Sequence, residues 1–467
     1  MADAFSLRWK LDQPFIHISR SEEIHALVTI EPNTAVLTDP PTGVALPAHL
    51  FVLVDVSGSM DYLMRHDPTA TTVGQQFTEG KSAVSVQSEV PSRREVACLV
   101  VRRLIESLGP SDLITLVGFD DTLHVLASAV PPTNNTDLGV ALHRLQGVGG
   151  GGTVAANALE HVRQAVAANA APGHTNKVIL LTDGEDDQPE RSLSETAALA
   201  KDSGVPLAAF GMGECKVAFL VELARTTLAG SFHHIRDDRD AEQLFRQTVS
   251  AQKNVVATKA VLKLWLSPDM HVRELYRTRP EILFIGDLKP DAANVVELAL
   301  EQMEKGKAYE FLFRCVVPQR GAGQRFRLAK ATLVYDLPAW SRTGETVETN
   351  IVVEYTDSEE QARQRSGDVR RVLARAEVQR QVLFLQGKID TLKHGVGTAL
   401  DRAMVAKLLV ALIQKLDDLG DKLAANQYRT LQAEFQQNGT ISQEMLNRSL
   451  AASSRAEEVM VARDVDF

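Results

Sequence analysis

The sequence predicts an α/β protein: a doubly wound, mostly parallel sheet inserted in an antiparallel β-sandwich and followed by a helical region. Three observations carry that expectation. Between residues 48 and 253, short apolar runs alternate with stretches of helical periodicity, the pattern of parallel strands buried on both faces by crossover helices. From 254 to 357 the runs alternate apolar and polar with no convincing helix between them, as strands of a two-sheet sandwich do. From 358 onward Ala, Leu and Gln are abundant, and Gly395, Gly397, Gly420 and Gly439 punctuate stretches of helical spacing.

Residues 1–47 hold two alternating runs, 7–18 and 24–30, joined at Ser19-Arg20-Ser21-Glu22. They have nothing local to pair with, and an isolated hairpin is marginal in water. They are therefore expected to join the strands of 254–357, which makes 48–253 an insertion within the sandwich. Inside the insertion the expected strands are 50–54, 113–119, 178–181, 206–210 and 232–235, with an antiparallel edge strand at 123–127. The expected helices are 93–107, 137–146, 154–168, 192–203, 217–227 and 241–253. Sandwich strands are expected at 260–265, 281–285, 294–299, 309–316, 326–337 and 349–354, and C-terminal helices at 359–386, 398–416, 422–437 and 442–456, arranged as antiparallel hairpins.

The apolar run Phe51-Val52-Leu53-Val54 leads straight into Asp55, Ser57 and Ser59. The carboxyl end of a buried parallel strand is where open α/β sheets bind ligands. A carboxylate and two hydroxyls, with no nitrogen or sulfur donor, suit a hard divalent cation, Mg2+ first. Three ligands do not fill an octahedron, so other loops must contribute. Gly147-Val148-Gly149-Gly150-Gly151-Gly152 ends in Thr153, a hydroxyl at the start of a helical pattern, after glycines that let backbone approach an ion closely. A second apolar strand, Lys177-Val178-Ile179-Leu180-Leu181-Thr182, ends in Asp183 at the same sheet edge. The candidate metal ligands are thus Asp55, Ser57, Ser59, Thr153 and Asp183.

These pieces, in this order, resemble the metal-ion-dependent adhesion site of von Willebrand factor A domains, with all five signature positions present. The resemblance implies a Rossmann-like A domain over 48–253. It implies that Ser57, Ser59 and Thr153 touch a bound Mg2+ or Mn2+, while Asp55 and Asp183 hold it partly through water. It also implies that an open coordination position captures a Glu or Asp of a partner protein. The order of strands, A domain, strands and helical tail resembles a group of intracellular prokaryotic proteins of this type. One departure is the segment 61–92, rich in Thr, Ser, Gln and Gly, where an A domain usually begins its first helix. It is too long for a plain connector. The expectation is either a disordered surface insertion or a lid on the metal face, with Asp61, Asp67, Glu79 and Glu89 available to the ion. The acidic run Glu185-Asp186-Asp187 reads as a solvated loop beside the site.

A net charge of −10 and the lack of any Lys/Arg-rich run argue against nucleic acid or a membrane surface as partner. Cys98, Cys215 and Cys315 are far apart and match no zinc spacing. With no apolar signal segment and no apolar run of membrane-spanning length, the expected location is cytoplasmic. Motifs for catalysis are missing: residues 147–152 lack a phosphate-gripping lysine, no Gly-x-Ser-x-Gly occurs, and His233-His234 would face opposite sides of a strand. The expected function is a non-enzymatic, metal-dependent protein-binding scaffold or adaptor. The alternatives are an adaptor or co-chaperone of a MoxR-type AAA+ ATPase, a sensor component of a bacterial defence or stress-signalling cassette, and, among enzymes, a Mg2+-dependent phosphohydrolase. The oligomeric state is left open.

Overall fold

A computed structural model describes residues 3–37, 46–64, 71–78, 81–87, 90–168, 173–213, 215–235, 238–321, 323, 325–393, 397–442, 445, 446 and 449. Strands β1 (Phe5–Leu11), β2 (Phe15–His17) and β3 (Glu22–Pro32) precede a one-turn helix, α1 (Thr34–Leu37). The inserted unit then runs β4 (Ala48–Asp55), β5 (Thr71–Thr78), β6 (Lys81–Gln87), α2 (Arg93–Ser107), β7 (Leu113–Phe119), β8 (Leu123–Val130) and α3 (Asn135–Gly147). It continues with α4 (Ala155–Ala167), β9 (Thr175–Thr182), α5 (Pro189–Ser203), β10 (Leu207–Met212), α6 (Val217–Arg225), β11 (Ser231–Ile235) and α7 (Asp238–Lys253). Strands β12 (Val255–Leu266), β13 (His271–Arg279), β14 (Leu283–Asp287), β15 (Val295–Glu304), β16 (Tyr309–Val317), β17 (Arg325–Leu337) and β18 (Arg342–Thr356) follow. Helices α8 (Glu359–Ala362), α9 (Gly367–Lys393), α10 (Ala399–Asp418) and α11 (Lys422–Asn438) complete the series.

The inserted unit is a six-stranded sheet in the order β11-β10-β9-β4-β7-β8, parallel except for the edge strand β8. Every residue of β4 is buried, which explains its unbroken apolar run. Successive side chains alternate between the two helical layers. Leu50, Val52 and Val54 pack with α2 and α3, and Phe51 and Leu53 with α4, α5 and α6. Each such side chain contributes about 1.5–3 kcal/mol when withdrawn from water. This central strand is therefore firmly seated, and the loop at its carboxyl end leaves from a fixed point.

The sandwich has one sheet in the order β1-β3-β16-β13-β14 and another in the order β15-β12-β17-β18-β2, closed over a shared core. The N-terminal strands do pair with strands that follow the insertion: β3 lies against β16 from Glu22 opposite Val317 to Ile30 opposite Tyr309. The expected single run 7–18 is broken, however. Pro14 has no N–H to continue a ladder, and Asp12 turns its carboxylate onto the backbone N–H of His25 at 2.7 Å. Beyond that break β2 crosses to the second sheet and runs parallel to β18, an exception to the expected antiparallel pattern. Strand β13 was not expected. Arg273, Glu274 and Arg277 disguise its inward residues Val272 and Leu275.

The expected helix 359–386 is divided, because Ser366 donates its N–H to the Asp12 carbonyl at 2.8 Å and α9 starts afresh beyond it. Val369 and Ala376 of α9 pack against Leu27, Tyr276 and Leu312 of the sandwich. The rest of α9 packs with α10 and α11. The expected helix 442–456 falls mostly outside the described residues. Among the described residues no helix is long and apolar enough to cross a membrane.

Segment 61–92 contains a hairpin, β5 with β6, so it is more than a disordered insertion. Its base is pinned. Leu63 bridges Ser92, Met64 N–H donates to the Pro91 carbonyl at 3.0 Å, and Arg93 N–H donates to the Tyr62 carbonyl at 2.9 Å. Asp67, Glu79 and Glu89 lie outside the described residues.

The insertion meets the sandwich at the amino-terminal ends of its parallel strands. Gln302 donates from Nε2 to the Asn176 carbonyl at 2.7 Å. Glu301, on β15, accepts the backbone N–H groups of Leu228 and Ala229 at 2.9 and 2.6 Å, and Arg277 donates to the Leu228 carbonyl. Burial pushes the Glu301 carboxyl up to about 7, against the opposing pull of the Ala229 and Leu228 hydrogen bonds. Ionising it costs folding free energy, so its contribution is full below the ordinary carboxylate pKa and is lost as pH rises through about 7. Relative to Glu301→Gln, the parent protein should lose about 2–3 kcal/mol of stability between about pH 5 and about pH 8. Urea unfolding of both proteins at the two pH values measures this. A difference independent of pH would show that Glu301 is already ionised in the native junction.

Candidate metal centre

The site begins where β4 runs out. Asp55 is fully buried. Its Oδ1 accepts the Ser57 N–H at 2.9 Å, and its Oδ2 accepts the Thr182 hydroxyl at 2.6 Å. One carboxylate therefore joins the loops that end two neighbouring strands, β4 and β9. Burial raises the Asp55 carboxyl to about 6, while hydrogen bonds from Ser57 and Thr182 favour the charged form and limit the rise. Past Asp55 the chain turns through a short 3-10 helix, Gly58–Asp61, which brings the Ser57 and Ser59 hydroxyls to 3.1 Å from each other.

The glycine-rich loop 147–153 lies directly on this turn. Gly150 N–H donates to the Val56 carbonyl at 2.8 Å, and Gly58 N–H donates to the Gly151 carbonyl at 3.3 Å. Gly149 has φ +89, and a Cβ there would lie 2.3 Å from the Val56 carbonyl oxygen, so only glycine allows the two loops to meet. Asp120, at the end of β7, accepts the Gly151 N–H at 3.0 Å and the Thr122 N–H at 2.8 Å. Thr153 closes the loop, and Asp183 follows β9 one residue after the Thr182 that binds Asp55. Ser57, Thr153 and Asp183 are all buried. The five sequence candidates thus come from loops that are hydrogen-bonded to one another at one sheet edge.

Several residues that organise the site escaped the sequence reading. Arg94 is buried, and its guanidinium donates from Nη1 to the Val148 carbonyl at 2.7 Å and from Nη2 to the carbonyls of Val56 and Ser57 at 2.9 and 3.3 Å. Its Nε donates to Asp61 at 2.6 Å. One side chain therefore ties the first loop to the glycine-rich loop, and Asp61 serves Arg94. The available signal was the pair Arg93-Arg94 in the first turn of α2, where the helix dipole disfavours positive charge. Arg93 donates from Nη1 to Asp183 Oδ2 at 2.7 Å.

The acidic run 185–187 is not simply solvated. Asp187 accepts the Thr153 N–H at 2.8 Å and returns its own N–H to the Thr153 carbonyl at 2.8 Å. Asp186 accepts the Gln188 N–H at 2.8 Å and the Ser192 hydroxyl at 2.7 Å, which fixes the start of α5. Glu185 faces solvent, 3.4 Å from Lys216. His233 and His234 have separate partners, the Ser231 hydroxyl at 3.0 Å and the Gly213 carbonyl at 2.8 Å.

Among the described residues no group of three or more His, Cys, Asp and Glu gathers to hold a metal. The set at this edge is of another kind, two carboxylates with three hydroxyls. An all-oxygen set with a buried carboxylate fits a hard divalent ion and not a soft one.

Residues 49–247 match the von Willebrand factor type A domain family. The fold is similar along almost the whole chain to a von Willebrand factor type A structure from Catenulispora acidiphila, with TM-score 0.74, 16% identity and 96% of each chain covered. It is also similar to the ArnB paralog VWA2 from Sulfolobus acidocaldarius, with TM-score 0.56, 15% identity, and 97% and 98% of the two chains covered. An uncharacterized protein of Synechocystis sp. is 24% identical over 305 residues, 64% of this chain, and the match spans 64% of that relative's length. The inserted unit is a von Willebrand factor type A fold, carried in a larger multidomain protein.

Arg94→Ala should cost about 2–4 kcal/mol, because two buried carbonyls and a partly buried one lose a charged donor. Arg94→Lys should recover little, since an ammonium cannot reproduce the planar fork. Gly149→Ala should destabilise by about 2 kcal/mol or more through the clash with Val56 and the left-handed backbone. Urea midpoints of the purified variants check all three, and a loss below about 0.5 kcal/mol for Arg94→Ala would show that the loops hold without it.

Proposed function

We propose that this protein is a non-enzymatic, metal-dependent binding scaffold or adaptor. On this reading Asp55, Ser57, Ser59, Thr153 and Asp183 hold a divalent cation, Mg2+ or Mn2+, that captures a Glu or Asp of a partner protein. The supporting observation is the all-oxygen donor set, with Asp55 shared between the loops after β4 and β9. The hydroxyls of Ser57, Ser59 and Thr153 are neutral, so only two carboxylates offset a doubly charged ion. A bound Mg2+ or Mn2+ would supply a Lewis-acidic position for one carboxylate oxygen of the partner. The chain's own work is positional. Asp187 sets Thr153, Asp120 sets the glycine-rich loop, and Arg94 locks that loop to Ser57. A site assembled in this way binds without first paying to order its loops.

Calorimetric titration of the purified chain with Mn2+ tests the reading. One site per chain is expected, abolished in Asp55→Ala and Asp183→Asn. In Thr153→Ala it should be weakened by about tenfold, because a neutral ligand is lost and not a charge. Circular dichroism should show each variant folded. Excess EDTA should dissociate a purified partner complex, and Mg2+ should restore it. A complex that survives both EDTA and Asp55→Ala with unchanged affinity would refute the reading.

A further inference from the structure

Arg93 holds an unusual position. It is the first residue of α2, and its guanidinium points across to the end of β9, where Nη1 lies 2.7 Å from Asp183 Oδ2. The two side chains are only 12% and 1% exposed. The helix does not need this charge. Ser92 and Glu95 already form a complete capping box, and a cation in the first turn opposes the helix dipole. Nor is the guanidinium well satisfied, since Nε is buried with no hydrogen-bond partner among the described residues. Room for it is left by Gly213, where a Cβ would come within 2.7 Å of Nε. The outer side of Arg93 faces the exposed Tyr62, whose ring centre lies 5.8 Å from the guanidinium carbon.

We infer that Arg93 is a built-in competitor for the cation at Asp183, which weakens metal binding by the chain alone and makes tight binding depend on an added carboxylate. The inference rests on the metal reading above and names how that site is regulated. Asp55 and Asp183 bring two negative charges to the edge, and Arg93 cancels one of them at direct contact. A divalent ion seated there would leave a net positive charge where Asp55 and Asp183 alone would leave none. Like charge lowers the affinity for the ion, and the same surplus raises the affinity for an anion. Because linkage is reciprocal, the carboxylate and the ion then strengthen each other's binding. An acidic partner would be held only with metal, and metal firmly only with a partner.

The test is Mn2+ binding by the full-length protein, followed by electron paramagnetic resonance with and without acetate as the carboxylate probe. Arg93→Gln should bind Mn2+ about tenfold more tightly than the parent, and acetate should strengthen its binding less than it does the parent's. Arg93→Met, which keeps the aliphatic stem, is the second neutral variant should the glutamine protein fail to fold. Arg93→Lys keeps the charge and should behave as the parent does. A merely structural ion pair would predict the opposite: neutral variants that melt earlier and bind Mn2+ equally or more weakly. That result, with parental binding intact and abolished by Asp55→Ala, would overturn the role of Arg93 alone. Absence of Mn2+ binding in the parent and in both neutral variants would overturn the metal reading with it.

Discussion

The geometry of the sheet edge depends on one buried carboxylate. Asp55 is withdrawn from water and spends one oxygen on the loop that follows its own strand and the other on the loop that follows the next. Burial alone would make such a group costly to ionise, and the two hydrogen bonds offset part of that cost. The result couples β4 to β9 at the point where Ser57 and Asp183 leave the sheet. Without Asp55, a buried backbone N–H and a buried hydroxyl would lose their acceptor.

Two adjacent arginines divide the remaining work. Arg94 is spent on carbonyls and fixes the backbone of the first and glycine-rich loops. Arg93 is spent on a carboxylate and changes the charge of the site. Consecutive positions on a helix diverge by about 100°, so one turn of α2 can serve separate loops, and the base of the hairpin insertion anchors the helix start through the Arg93 N–H on the Tyr62 carbonyl. The insertion thereby becomes part of the site's architecture, even though among the described residues its strands β5 and β6 pair only with each other.

The opposite ends of the same strands face the sandwich. There the contacts are polar and buried: Glu301 on two backbone N–H groups, Gln302 on Asn176 and Arg277 on Leu228. Polar junctions of this kind are demanding, because each group must find its partner or lose stability. They specify one docking arrangement where an apolar patch would tolerate several. α7 runs from the carboxyl-end side of the sheet toward β12, so the inserted unit is joined to the sandwich by a helix as well as by this junction.

How much of this was legible in the sequence follows from the range of each interaction. Periodicity disclosed the doubly wound sheet, because burial on both faces forces the apolar run 50–54 and burial on one face forces the helix pattern of 93–107. The candidate donor residues stood out because their chemistry is local to strand ends: an apolar run followed by Asp55, Ser57 and Ser59, glycines before Thr153, a strand into Asp183. The tertiary structure alone decided the crossing of β2 to the second sheet, the charge-masked β13, the break before α9, and the work of Arg93, Arg94, Asp120 and Asp187. Each of these depends on a partner far away in the chain, from 31 residues between Asp120 and Gly151 to 354 between Asp12 and Ser366. A side chain's own sequence neighbourhood carries no record of a hydrogen bond that the folding of the whole sheet creates.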